Sequence, residues 1–490
     1  MSTTSQFASS TIPETRLPQK VENIAHKLSS GHISLQAGRI PREIESLRRF
    51  NLARPIFRLP VELLCDIFTI SIQDSTHSRR VIRPTPSASA TSATDPTLLG
   101  QVCSCWRNAA LNLPNLWSTI YIEDAAKSHV FLTQLWLQRA AGQPLNLTIL
   151  HARDPFSAYQ ILAAFVAHCH LWKKVNMMLP LDLIPELWKL LRPLNLRCDM
   201  LQSVYFLAQG AISDDFRVFD RKNPGWYRRY VGDIWSFFYS SASLRTVVWD
   251  GTFSEVSFKD SPFTQLTHVS LRPSENLDAE DMIGLMNLFP NLRSFHATIS
   301  SPSAYSALKP CIPSTPIVFE YLDALHLWAE TPISLTLSHV TLPCLRDLRI
   351  SSASCQEPIV HLTILEILFR RSQCQLKTLV YEDSKSEQGL LEDLIVIPQL
   401  QTLNALKFEG KVFDSAILLF LRKKGSGMPV VMPVLQDVHL GRCDTTDGLL
   451  SSMVLSRSTI LKEFIFGCKW YGPIDDERLS LYKASRKRHE

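Results

Sequence analysis

Two short groupings concentrate the side chains that could hold a metal or attack a substrate: Cys103-Ser104-Cys105 and His168-Cys169-His170. A structural zinc site needs four donors in paired spacing, such as Cys-x-x-Cys with a distant second pair, and neither grouping supplies it. On a helix, Cys103 and Cys105 point to different faces, so they cannot share one ion. Other chemistry leaves equally little trace. The chain has no Gly-x-Gly-x-x-Gly, no phosphate-cradling Gly-Lys-Ser/Thr, no Gly-x-Ser-x-Gly and no His-Glu-x-x-His. Its 17 glycines are few for a nucleotide-binding fold, and its carboxylates are scattered rather than paired. The expectation is a protein that is not an enzyme and carries no metal or cofactor. An enzyme whose catalytic groups converge only on folding stays open.

The elements that position these residues are more informative. At 490 residues the chain exceeds the size at which one globular core keeps growing, so several domains or one extended array are expected. A hydrophobic share of 45% with 20% charged residues is that of a folded protein, and a net charge of +5 over this length implies no nucleic-acid partner. Eleven cysteines, an odd number without regular spacing, argue against a disulfide framework and for a reducing compartment, cytoplasmic or nuclear. Met1–Ser10 lacks the apolar run of a signal peptide, and stretches such as Ile161–Ala167 are too short to span a bilayer, so no membrane partner is expected.

The dominant pattern is a phrase, Leu-x-x-apolar-x-apolar, that returns about eleven times between Trp172 and Phe466. Clear copies are Leu244/Val247/Trp249, Leu266/Val269/Leu271, Leu292/Phe295/Ala297, Leu322/Leu325/Leu327, Leu345/Leu348/Ile350, Leu376/Leu379/Tyr381, Leu403/Leu406/Phe408, Leu435/Val438/Leu440 and Leu461/Phe464/Phe466. Weaker ones stand at Trp172/Val175/Met177 and Leu201/Val204/Phe206. The last two apolar positions lie two residues apart, on one face of a strand, and the first Leu can tuck in where the chain turns into it. Such a unit buries little alone and becomes stable by stacking on its neighbours.

These residues resemble leucine-rich repeats in the irregular form found in substrate receptors. The copies recur at roughly 22 to 32 residues, with one gap of about 43, against a family range of about 20–29. The family pattern continues to an Asn or Cys that closes each turn on free backbone groups. Here that place holds Thr252, Ser274, Ser300, Ser384 and Cys443 in five copies, so the asparagine ladder is missing.

Upstream, Arg58-Leu59-Pro60-x-Glu62-Leu63-Leu64-x-x-Ile67-Phe68 puts a proline at a helix start and an apolar stripe behind it. A loop rich in Ser, Thr, Ala and Pro separates this from a second helix over 98–111, with the stripe Leu99, Val102, Cys103, Trp106 and Ala110. Leu113-Pro114-x-Leu116-Trp117 follows. Together these segments resemble an F-box of the kind found in large families of fungal proteins.

The two resemblances imply an α/β chain: a small helical F-box module, then a leucine-rich-repeat solenoid with strands on its concave face and helices or loops outside. The expected organisation is a disordered N-terminus over 1–32, a leader helix over 33–53, the F-box-like domain over 54–120 with a disordered insertion at about 74–97, a connecting segment over 121–171, the array over 172–470 and a basic tail over 471–490. They also imply a substrate-recruiting adaptor of a cullin-based ubiquitin ligase, whose partners are the ligase's linker subunit and a protein to be modified. The linker would meet Leu59, Pro60, Leu63, Leu64, Ile67, Phe68, Val102, Cys103 and Trp106, some of which must instead join the two helices. A repeat scaffold with a degenerate F-box, not assembled into a ligase, stays open.

Between the buried strand positions stand His296, His326, Arg349, Lys407 and His439 in five copies, and no Asp or Glu in the others. His268, Arg272 and Trp328 lie nearby, against Asp250, Glu382 and Glu409, and a face of mixed solvated side chains stays open. This outward column reads as a basic, His-rich strip for an acidic or phosphorylated segment of the substrate.

Overall fold

The computed structural model describes residues 59–77, 96–152, 154–193, 197–209, 226–251, 263–273, 279–299, 315–352, 358–385, 390–410, 418, 421–422, 431–441, 445–467 and 472–486. The chain divides into two compact units at Leu113/Pro114. The N-terminal region over 1–32, the leader helix expected over 33–53 and residues 487–490 lie outside the described residues.

The first unit holds α1 (Val61–His77), α2 (Pro96–Val102) and α3 (Ser104–Leu111). Pro60 stands immediately before α1, and its carbonyl accepts from Leu64 N at 3.1 Å, opening the first turn. α1 runs to His77, so residues 74–77 are helical and do not belong to an insertion; residues 78–95 lie outside the described residues. The helix expected over 98–111 is two helices. Cys103 breaks it with an extended backbone, φ −161° and ψ 172°, and its Sγ accepts from Trp106 N at 3.4 Å as the N-cap of α3.

The second unit is built on one sheet of 13 strands in the order β1-β2-β3-β4-β5-β6-β7-β9-β11-β12-β13-β14-β15, all neighbours parallel. The strands are β1 (Thr119–Ile122), β2 (Leu145–Leu150), β3 (Trp172–Pro180), β4 (Ser203–Gln209), β5 (Thr246–Gly251), β6 (His268–Pro273), β7 (Ser294–Ile299), β9 (Ala324–Ala329), β11 (Asp347–Ser352), β12 (Thr378–Glu382), β13 (Ala405–Glu409), β14 (Asp437–Leu440) and β15 (Glu463–Phe466). The two-residue strands β8 (Ile317–Val318) and β10 (Val340–Thr341) pair separately. Parallel strands cannot be joined by hairpins, so each connection crosses over. Among the described residues the crossovers include α4 (Lys127–Ala140), α5 (Pro155–Ala167), α6 (Leu183–Leu191), α7 (Trp226–Tyr239), α8 (Ala279–Asn287), α9 (Ser334–Ser338), α10 (Leu362–Ser372), α11 (Leu390–Leu394) and α12 (Leu449–Ser456). A last helix, α13 (Pro473–Arg486), follows β15.

The repeated phrase explains this sheet. Val247, Val269, Phe295, Leu325, Leu348, Leu379, Leu406 and Val438 pair strand to strand in one register and are all buried. The leading Leu of each copy from Leu244 to Leu461 is also buried. In most copies its N–H bonds three residues back, as Leu292 N does to Phe289 O at 3.1 Å, so it marks the turn into the strand.

A backbone ladder joins the copies one residue further on. The carbonyl of Gln202 accepts from both Arg245 N and Thr246 N at 3.0 Å. The same two-donor bond repeats from Arg245, Thr267, Arg293, Asp323, Arg346, Lys377, Asn404 and Gln436 to the following strand.

Among the described residues, one turn past a strand shows how it closes without an asparagine. After β12 the work falls to Asp383, one residue before the Ser384 expected there: its carboxylate accepts from Ile359 N at 3.0 Å, Tyr381 Oη at 3.3 Å and Lys385 N at 2.8 Å. Two arginines, half-buried Arg371 and buried Arg457, close other gaps. Arg371 donates to Ser338 O, Leu337 O and Val340 O, and Arg457 to Leu421 O, Met432 O and Val431 O, satisfying carbonyls that helix and turn ends leave free.

Three expected boundaries shift. The segment over 121–171 is no connection: β1 ends and β2 lies within it, so the sheet begins at Thr119. Pro144 stands where the leading Leu of β2 would be, and Trp117 holds that place for β1 as Trp172 does for β3. Leu116 and Trp117, read as the end of the first module, belong to the second unit. There Trp117 packs edge-on against Trp136 at 5.6 Å beneath the Arg139 guanidinium at 4.4 Å. The expected tail over 471–490 is largely α13, whose Leu479 and Tyr482 are buried. Asp447 caps its first turn, accepting from Ile474 N at 3.1 Å and Asp475 N at 2.9 Å. Asp475 in turn accepts from Ser451 N at 2.7 Å.

Candidate functional site

Three surfaces bear the sequence-predicted residues or adjoin them. On the first unit, α1 sorts its stripe into two faces. Leu64 and Phe68 are buried at 2% and 1% exposure, and Phe68 meets Trp106 of α3 edge to face with ring centroids 5.0 Å apart. Leu64 and Phe68 are therefore not available to a partner, which corrects the expectation for these two, while Trp106 and the capping Cys103 are half-buried. The other face keeps Leu63, Ile67 and, on α2, Val102 roughly half exposed. Pro60 is exposed and Leu59 half-buried. Val61, Ile70 and, on α2, Leu98 are also exposed and were not among the sequence-predicted residues. Ile70 follows Leu63 and Ile67 at helical spacing, which is the signal that could have found it.

On the second unit, the column between the buried strand positions is a true one. Tyr121, Thr148, Asn176, Tyr205, Val248, Ser270, His296, His326, Arg349, Val380, Lys407, His439 and Ile465 pair in register across the whole sheet. Its basic character does not survive folding. The flanking columns bring carboxylates alongside: Asp347 Oδ2 lies 3.0 Å from Arg349 and 3.1 Å from His326 Nε2. Lys407 Nζ is 2.5 Å from Glu382 and 3.2 Å from Glu409, and His439 is 3.7 Å from Glu409. The His326 approach lacks the alignment of a hydrogen bond, so it counts as a charge contact when the ring is protonated.

Burial pushes the Asp347 carboxyl up, but His326 and Arg349 beside it outweigh that and hold it below the usual range. Glu382 behaves alike: burial raises it, while Lys407 and the Ser351 hydroxyl at 2.8 Å bring it below normal. Lys407 is raised, chiefly by its bond to Glu382. The strip is therefore a mixed-charge face, which corrects its expected basic character and agrees with the alternative of mixed solvated side chains. His296 stacks on His326 at 4.0 Å. Trp328 is 47% exposed, and His268 turns to Thr267 Oγ1 at 2.8 Å. Arg272 lies on β6 in register with Asp250, its side chain outside the described residues.

The third surface was not singled out by sequence. At the N-terminal ends of β5, β6 and β7 an open cleft of about 310 Å³ is lined by Arg245, Gln265, Thr267, Asn291, Arg293 and Tyr321, with Thr264.

The cysteine and histidine groupings do not converge. His168 Nδ1 faces Ala164 O at 3.0 Å, Cys169 is buried and His170 is exposed. Among the described residues no group of three His, Cys, Asp or Glu side chains could hold a metal, and no helix is long and apolar enough to cross a membrane.

No family model matches the chain, and no curated protein matches it. Among solved structures, a protein from Bacteroides fragilis is 12% identical, covering 60% of this chain and 74% of its own with a TM-score of 0.33. A likeness that low carries no argument about fold or role.

Proposed function

We propose that this chain is a substrate-recruiting adaptor of a cullin-based ubiquitin ligase. Residues 59–113 act as an F-box that docks on the linker subunit, and the sheet unit, read as an irregular leucine-rich-repeat array, binds the protein to be modified. The observation that carries the reading is the exposed apolar stripe of α1, with a second one on α2. On α1, Leu63, Ile67 and Ile70 share one helical face and leave large apolar side chains 43–56% exposed, and on α2 Leu98 and Val102, one turn apart, are 46% and 50% exposed, in a unit whose buried residues include Leu64 and Phe68. Apolar stripes exposed in this way mark an interaction surface rather than a solvated one. The adaptor performs no chemistry; holding a client beside a charged enzyme raises the effective concentration of the reacting groups.

Co-expression of the full chain with the linker subunit, followed by affinity purification, tests this. Stoichiometric retention of the linker is expected. Its absence favours the other reading, a repeat scaffold with a degenerate F-box.

A further inference from the structure

The residue that supplies the ladder carbonyl in each copy also places a side chain on the N-terminal rim of the sheet. Along the strand order these residues run Lys173, Gln202, Arg245, Thr267, Arg293, Asp323, Arg346, Lys377, Asn404 and Gln436. The row is rich in cations, and Asp323 is its single carboxylate. The contrast with the open face is in pairing. There the cations Arg349 and Lys407 lie against carboxylates. On the rim, Arg245, Arg293, Arg346 and Lys377 make no ion pair among the described residues, and neither does Asp323.

Two of these cations frame the cleft. β5 and β7 are separated by β6, so the Arg245 and Arg293 backbones stand roughly 10 Å apart, within reach of one small anion between them. Arg245 is held in place by donating to Ala242 O at 2.7 Å and Leu244 O at 3.0 Å, which leaves part of its donor fork unused. Arg293 is exposed and unpaired among the described residues. Asn291 is anchored by its bond to Thr264 O at 2.7 Å, and Thr267 lies between the two arginines. No carboxylate lines the cleft.

We propose that this rim cleft binds a phosphorylated side chain on an extended segment of a client protein, with Arg346 and Lys377 further along the rim meeting acidic residues beside it. Calling the bearer a client rests on the adaptor reading; the binding chemistry does not. A phosphate monoester brings about −1.5 to −2 charges and several acceptor oxygens, matching two guanidinium groups better than one carboxylate does. The same charge on the open face would first have to displace Asp347 or Glu382.

The test uses the full chain without any ligase component, so failure of linker capture and failure here are separate results. A fluorescent peptide pool with a fixed central phosphoserine and neutral flanks is titrated by anisotropy, beside its unphosphorylated and aspartate-substituted twins. The phosphoserine pool is expected to bind at least about tenfold more tightly than either twin and to weaken with added salt. Arg293→Gln is expected to lower that affinity about tenfold with an unchanged melting temperature, since the side chain is exposed. Equal binding of the twins overturns the proposal, as does a wild-type affinity in Arg293→Gln. Two further results would also overturn it: an equal loss in Arg349→Gln, which assigns the anion to the open face, and tighter binding of a single-stranded oligonucleotide, which makes the rim a general polyanion surface.

Discussion

The ring of Phe68 meets the ring of Trp106 edge to face, 5.0 Å between centroids and 63° between planes, and this contact turns α1 so that its neighbour Ile67 faces outward. Adjacent helical residues point about 100° apart, so fixing Phe68 inward fixes Ile67 as part of a different face. The stability of the first unit and its surface are thus set by different side chains.

That separation predicts opposite phenotypes. Phe68→Ala removes a fully buried ring and is expected to cost about 3–5 kcal/mol, unfolding the first unit. Leu63→Ala, on the exposed face, is expected to stay within about 0.5 kcal/mol of wild type. Hydrogen exchange of the α1 and α3 amides reads both. Retained protection in Phe68→Ala would show that the helices are held by something else.

The mixed-charge face predicts a pH dependence of stability. The Asp347 and Glu382 carboxyls lie below their ordinary range when folded, so their stabilisation is full above about pH 4.3 and is lost as pH falls through the folded values. Lys407 is raised, so its contribution is full below about pH 10.4 and is lost as pH rises beyond that. Glu382→Gln is expected to lower stability by no more than about 1 kcal/mol at pH 7, because the pair is partly solvated. The deficit should vanish in strong acid. Urea midpoints across pH 2–8 check this, and a deficit independent of pH would assign the loss to packing.

Asp383 predicts a larger effect. Its carboxylate, 1% exposed, bonds two backbone N–H groups and the Tyr381 hydroxyl. Asp383→Ala leaves those buried donors unmet and is expected to cost about 2–3 kcal/mol, while Asp383→Asn keeps an acceptor and recovers part of it. Chemical denaturation of the two variants gives the comparison. Equal stability of Asp383→Ala and wild type would mean that water replaces the side chain.

The strands from Trp172 onward were legible because a period of two residues and a leading Leu act together within one short segment. β1 and β2 lack that Leu and were read as a connection, and α13 was read as a tail because its charged face hides Leu479 and Tyr482. The partition of α1 was not legible: Leu63, Leu64, Ile67 and Phe68 straddle two faces, and only the position of α3 decides which is inside. The carboxylates Glu382 and Glu409 are legible beside the open column, but not that both lie against Lys407, one from the preceding strand and one two residues on.

The most direct test of the adaptor reading is the affinity of the full chain for purified linker subunit, measured by titration calorimetry for wild type and for the double variant Leu63→Asp/Ile67→Asp. Both substitutions put a charge into the proposed interface while leaving Leu64 and Phe68 in place. The account predicts a saturable one-to-one complex for wild type, weakened at least about a hundredfold in the variant, whose α1 and α3 amides stay protected. A wild-type chain that does not bind the linker, or a variant that binds it equally well, would contradict the account.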